Sequence, residues 1–172
     1  MERMSIWPNL VTMDELRPPV MEDGGKFRFI RHGDDVEVAR CIHVGETLIL
    51  PECVGGSRVT GLGAGAASNC EEMTCAMLPR YVRRIGDYAF FQCVKLEDVR
   101  LPEGLRVIGE YAFAGCAGLR TLYVPPTVTA ISDTAFEGID DLTLTGTEGS
   151  AGHRYALKHG LFFMTAGGPN AA

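Results

Sequence analysis

Apolar residues recur along this chain at a fixed interval. Cys70, Cys93 and Cys116 lie 23 residues apart, and Leu62, Ile85, Ile108 and Ile131 keep the same step. So do Ala66, Ala89, Ala112 and Ala135, the trio Phe90, Phe113 and Phe136, the set Met73, Leu96, Leu119 and Leu142, and the prolines 79, 102 and 125. So many columns in phase mark a tandem repeat, in which each unit buries its apolar side only by stacking on a neighbour. Two copies are nearly complete, LPRYVRRIGDYAFFQCVKLEDVR (78–100) and LPEGLRVIGEYAFAGCAGLRTLY (101–123). A third starts at Val124. A degenerate first copy runs from Leu50 through VTGLG to Met77, with Ala67 in place of Phe.

Each column has a physical reading. Leu96, Val99 and Leu101 follow L-x-x-V-x-L, repeated by Leu119, Leu122 and Val124, and the alternation in the last two of each set predicts a half-buried strand. Pro102 and Pro125 remove a backbone donor and end it. Leu105 and Ile108 turn back inward, Gly86 and Gly109 are expected at turns, and Ala112-Phe113 pairs a small residue with a ring that fills the coil. Stacked copies then align their strands about 4.8 Å apart in a parallel sheet.

The flanks read as caps for the open ends of such a stack. FRFIRHGDDVEVARCIHV (27–44) predicts a hairpin turning at His32–Asp35. GSAGHRYALKHG (149–160) predicts a short helix with Ser150 as N-cap and Gly160 as terminator. Leu161, Phe162 and Phe163 are expected to pack over the last coil. Residues 1–26 show no period and read as a leader or linker. Residues 27–163 read as one domain, with a hairpin cap over 27–47, about four repeats over 48–145 and a helical cap over 146–163. Residues 164–172 read as a loose tail.

The motif L-P-x-x-L-x-x-I-G-x-x-A-F-x-x-C-x-x-L, carried by 78–96 and 101–119, resembles the BspA-like subfamily of bacterial leucine-rich repeats. The entry segment from Leu50-Pro51 to VTGLG and the ending GSAGHRYALKHGLFF are similar to that family's first repeat and C-terminal cap. In the last copy Ile139 stands in the cysteine column and LTLTG drifts from the strand pattern. The resemblance implies an α/β class fold: a right-handed leucine-rich-repeat solenoid with a parallel sheet face. It also implies a protein-binding role, often on secreted or surface-displayed proteins engaged in adhesion, and it offers no shared catalytic site.

Charge and composition narrow the choices. A net charge of −6 argues against nucleic acid as a partner, because such binders carry a basic face. No stretch approaches the roughly 18 apolar residues of a membrane span. The first thirty or so residues hold no secretory signal, so the chain as given reads as cytoplasmic, whereas the resemblance points to the cell surface.

Candidate chemistry is sparse. Cys70, Cys93 and Cys116 share a column with Ile139, which neither ligates nor cross-links, so they read as small core residues without a disulfide. Cys41, Cys53 and Cys75 lie outside that column, and Cys75 is expected to face outward. A cysteine nucleophile needs a histidine beside it, and His32, His43, His153 and His159 fall mostly in the caps. Zinc wants two short-spaced pairs, and Cys70-x4-Cys75 is a single approximate one. Gly61-Leu62-Gly63-Ala64-Gly65 lacks the Gly-Lys-Ser/Thr of a phosphate loop. No cofactor or metal is expected.

The outward strand positions are the best functional candidates. They form two rows, Thr47, Cys75, Asp98, Thr121 and Ile49, Met77, Arg100, Tyr123. Met77, Arg100 and Tyr123, with Asp98 and Thr121 alongside, make a strip of the composition enriched at interfaces. The leading expectation is a non-catalytic module that binds a protein partner. The alternatives are a structural element with weak self-association through a coil end, and, less favoured, an enzyme using Cys75.

Overall fold

A computed structural model describes residues 20–22 and 25–166, and the remaining parts of the leader and tail lie outside it. The chain winds as a solenoid whose strands fall on two sides. It opens with β1 (Val20–Glu22), β2 (Phe27–His32) and β3 (Asp35–Cys41), paired antiparallel in that order. The hairpin thus forms where the alternation placed it, and it also takes in Val20–Glu22 from the stretch read as leader. Next come β4 (Thr47–Ile49), β5 (Cys53–Val54), β6 (Ser57–Leu62), β7 (Cys75–Met77) and β8 (Arg84–Ile85). They are followed by β9 (Asp98–Arg100), β10 (Val107–Ile108), β11 (Thr121–Tyr123), β12 (Ala130–Ile131) and β13 (Thr143–Gly146). The helix α1 (Ala151–His159) and β14 (Phe162–Thr165) close the chain.

One side of the solenoid is a sheet in the order β1-β2-β3-β6-β8-β10-β12, parallel from β3 onward, with β5 paired to β6. The other side carries β4-β7-β9 and β11-β13-β14, all parallel. A third file of hydrogen bonds joins the turns: Tyr88 N donates to Glu110 O, Phe90 N to Ala112 O and Gln92 N to Ala114 O. Each coil is therefore stitched to its neighbour on three sides. This leaves few backbone groups in need of other partners.

The repeat columns converge in the interior. Phe90 stacks on Phe113 at 5.1 Å and Phe113 on Phe136 at 5.4 Å, with rings tilted by only 11° and 12°. Tyr155 of α1 meets Phe136 edge-on and covers the file. Its hydroxyl donates to Asp133 O at 3.0 Å. At the other end the hairpin buries Phe27, Phe29, Val36 and Val38 against the first coil. Ser150 caps α1 by accepting from His153 N, and Gly160 ends it in the left-handed region.

Several expectations are refined or corrected. The chain does turn directly after Gly86 and Gly109, with Ala89 N donating to Gly86 O at 3.3 Å, but neither glycine takes a left-handed backbone. A methyl group on Gly86 would stand 2.8 Å from the carbonyl carbon of Gly63, so these glycines let two coil backbones touch. Within residues 78–123 the left-handed positions are instead Tyr88, Gln92, Tyr111 and Gly115. Phe162 does not fold over the last coil: it is 81% exposed, because residues 162–165 extend the sheet and point alternate side chains outward. Met164 and Thr165, read as tail, belong to that same strand. Strands β4, β7, β9, β11, β13 and β14 thus mark about six turns of chain, more than the about four sequence repeats, because both caps keep the coil geometry without the consensus.

Candidate binding face

The three-residue strands present buried–exposed alternation at its simplest. Leu48, Ala76, Val99 and Leu122 point inward and are at most 6% exposed, so their neighbours on either side must point out. Register fixes which outward residues meet. Thr47 lies opposite Cys75 and Cys75 opposite Asp98, while Ile49 lies opposite Met77 and Met77 opposite Arg100. Ile49 is 62% exposed and Met77 and Tyr123 are 36% exposed each. Arg100 Nε lies 3.8 Å from Asp98 Oδ2, an open ion pair along one strand. Burial pushes the Tyr123 phenol above its ordinary range, helped by the nearby charge of Glu103.

All five candidate residues therefore project from the same side of the solenoid, but not from one sheet. Among the described residues no backbone ladder joins β9 to β11. There Gly118 N donates to Val94 O at 3.0 Å, ahead of the strand. Met77, Asp98 and Arg100 stand on one side of this seam, Thr121 and Tyr123 on the other. The rows also continue further than expected. Thr121 meets Thr143 and then Phe162, and Tyr123 meets Thr145 and then Met164. The last copy hid them because Leu144 pairs with Leu122 only 22 residues away, one short of the period. The alternation Leu142, Leu144 was the available signal.

Cysteine chemistry is muted. Cys93 donates its thiol to Ala67 O and Cys116 to Phe90 O, each at 3.1 Å, so the core column hydrogen-bonds each coil to the one before. Cys70, at the front of the column, is only partly buried. Cys41, read as outside the column, is buried close enough to Cys70 and Cys93 to feel their charge. Burial pushes its thiol up to about 12. Hydrogen bonding with Cys116 and burial push Cys93 to about 12 as well. Cys75 does face outward, beside Asp98 Oδ2 at 3.8 Å. Burial and that carboxylate raise its pKa, the wrong direction for a nucleophile. Among the described residues no group of three or more His, Cys, Asp or Glu side chains is placed to hold a metal ion, and no helix is long and apolar enough to cross a membrane.

Comparison with known proteins agrees with this geometry. The model of the BspA type leucine rich repeat region matches residues 48–145 in six copies. No curated protein matches the chain. Among solved structures, a leucine-rich repeat protein of Bacteroides capillosus ATCC 29799 superposes with a TM-score of 0.64 at 25% identity, covering 74% of this chain and 99% of that one. The T. pallidum leucine rich repeat protein gives 0.60 at 24%, covering 79% of each chain. A leucine rich cell surface protein of Faecalibacterium prausnitzii A2-165 gives 0.64 at 22%, covering 83% of this chain and 38% of that one.

Proposed function

This chain belongs to the BspA-type leucine-rich repeat family, and from that premise we propose that it is a non-catalytic protein-binding module. The partner docks on the outward face of the short strands, centred on Met77, Arg100 and Tyr123, with Asp98 and Thr121 at its margin. The observation that carries this reading is an exposed Ile49–Met77–Arg100 row in strict register over a fully buried one. Strands already fixed in a rigid frame add no cost of ordering backbone on binding. Methionine, arginine and tyrosine are also the types over-represented where proteins meet. One structural neighbour is described as a cell surface protein, which favours display at the surface as the setting for such contacts.

Size sets the expected strength. Six strands at about 4.8 Å, each offering about 10 Å, give a few hundred Å², short of the roughly 800 Å² per partner of a standard interface. The face alone binds weakly, and tight capture needs the adjacent loops or many copies side by side. Replacing Arg100 and Tyr123 together with alanine should lower partner capture at least about tenfold, measured by biolayer interferometry against the partner. Equal capture by parent and variant would remove this face from the interface.

A second reading, self-assembly through a coil end, is favoured by β14. It is the edge of its sheet and exposes Phe162 and Met164, a ready template for another strand. Sedimentation across the micromolar range separates the two readings, since a strict monomer speaks against assembly.

A further inference from the structure

The opposite side of the solenoid carries a groove of about 510 Å³ where the hairpin meets the first two coils. Its coil wall is lined by Arg58, Arg83 and Arg84, and among the described residues none of these forms an ion pair. Elsewhere Arg80, Lys95, Arg100, Arg120 and Lys158 each have a carboxylate partner, so what sets these three apart is their clustering on one groove wall. Two of the three guanidinium groups are held in place, those of Arg58 and Arg83. Arg58 lies over the ring of Tyr81 at 5.0 Å, beside Arg80 at 4.9 Å, and Arg83 Nη1 donates to Gly104 O at 3.0 Å. A stacked guanidinium such as that of Arg58 keeps its N–H edge free in a narrowed range of positions, an arrangement suited to carboxylates. Arg84 adds a second, exposed one beside it.

Register gives the groove its floor and its polarity. Across the sheet Glu37 pairs with Gly61 and Gly61 with Arg84. Gly61 has no side chain to fill the space between them, and a methyl group there would touch Glu37 Oε2 at 2.9 Å. One wall is therefore cationic, while the hairpin wall holds Asp35 and Glu37 with His32.

We propose that this groove docks an acidic segment of a protein partner, whose carboxylates pair with Arg58 and Arg84 while Asp35 and Glu37 receive its backbone N–H groups or a flanking basic residue. The groove lies apart from the Met77–Arg100–Tyr123 face, so the two sites stand or fall separately. A fluorescein-labelled hexapeptide of alternating Glu and Asp, titrated into the full chain at low salt, tests it by fluorescence anisotropy. Saturable binding is expected, weakened about tenfold for each of Arg58→Ala and Arg84→Ala and strengthened by Glu37→Gln. An Arg100→Ala/Tyr123→Ala chain should bind the peptide as the parent does. Both arginines are exposed, and an unchanged circular dichroism spectrum checks that their variants fold. No binding, equal binding of a Gln/Asn hexapeptide, or indifference to both arginine substitutions would overturn the proposal. So would competition by inorganic phosphate at the peptide's own concentrations, which would reassign the groove to simple anions.

Discussion

Gly86 has no room for a methyl group: one would sit 2.8–2.9 Å from the backbone of Leu62, Gly63 and Ala64 in the coil before. Gly86→Ala should therefore cost about 1–3 kcal/mol, the range of overpacking a tight contact, read from urea unfolding. A glycine column in a repeat can mean a turn or a close approach. Gly86 serves both: the turn read from the sequence starts at it, Ala89 N donating to its carbonyl, and the close approach is what only the stacked coils reveal. The thiols give a pH signature. Cys41 and Cys93 stay protonated in the folded chain up to about 12, against an ordinary value of 9.0. Above about pH 9 the unfolded chain loses these protons and the folded chain keeps them, so stability is full below that pH and falls as pH rises toward 12. Urea midpoints measured across this window should drop less steeply in a Cys41→Ala/Cys93→Ala chain than in the parent.

At the level of elements, the aromatic file is what aligns the coils. Phe113 is fully buried between two stacked rings, and Phe113→Ala should cost roughly 3–5 kcal/mol, again by denaturant unfolding. A loss below about 1 kcal/mol would mean the surrounding coils do not need it. These interior columns were legible in the sequence because phase survives wherever 23 residues separate equivalent atoms. The helix cap was legible too, since Ser150 and Gly160 act through local backbone chemistry. What escaped detection lies where phase is lost. The β5–β6 hairpin, turning at Gly55-Gly56, is the extra length that sets Leu48 and Ala76 28 residues apart. The rows Thr47–Cys75 and Ile49–Met77 were read correctly across it, but the hairpin itself was not. Strand β14 follows a helix rather than a repeat, so nothing in its spacing announced that Phe162 and Met164 extend the outward rows. The arginine groove was hidden for the same reason: it joins Asp35 and Glu37 of the hairpin to Arg58 and Arg84 of the coils, partners that only the pairing of β3 with β6 brings together.

For the whole molecule, an overall charge of −6 concealed an uneven surface. Exposed apolar residues and Arg100 mark one side, a set of arginines without an ion pair among the described residues the other. Both depend on coils that stack as interchangeable units, each satisfied by whichever neighbour presents the same columns. The most direct measurement is thermal unfolding of a chain lacking residues 101–123, one full period, beside a chain lacking 101–112, about half of one. The full-period deletion brings Phe90 against Phe136 and Cys93 against Ile139, so it should fold and melt in a single cooperative step, while the half-period deletion scrambles every column and should not fold. An unfolded full-period deletion, or equal tolerance of both, would contradict a solenoid built from stacked coils.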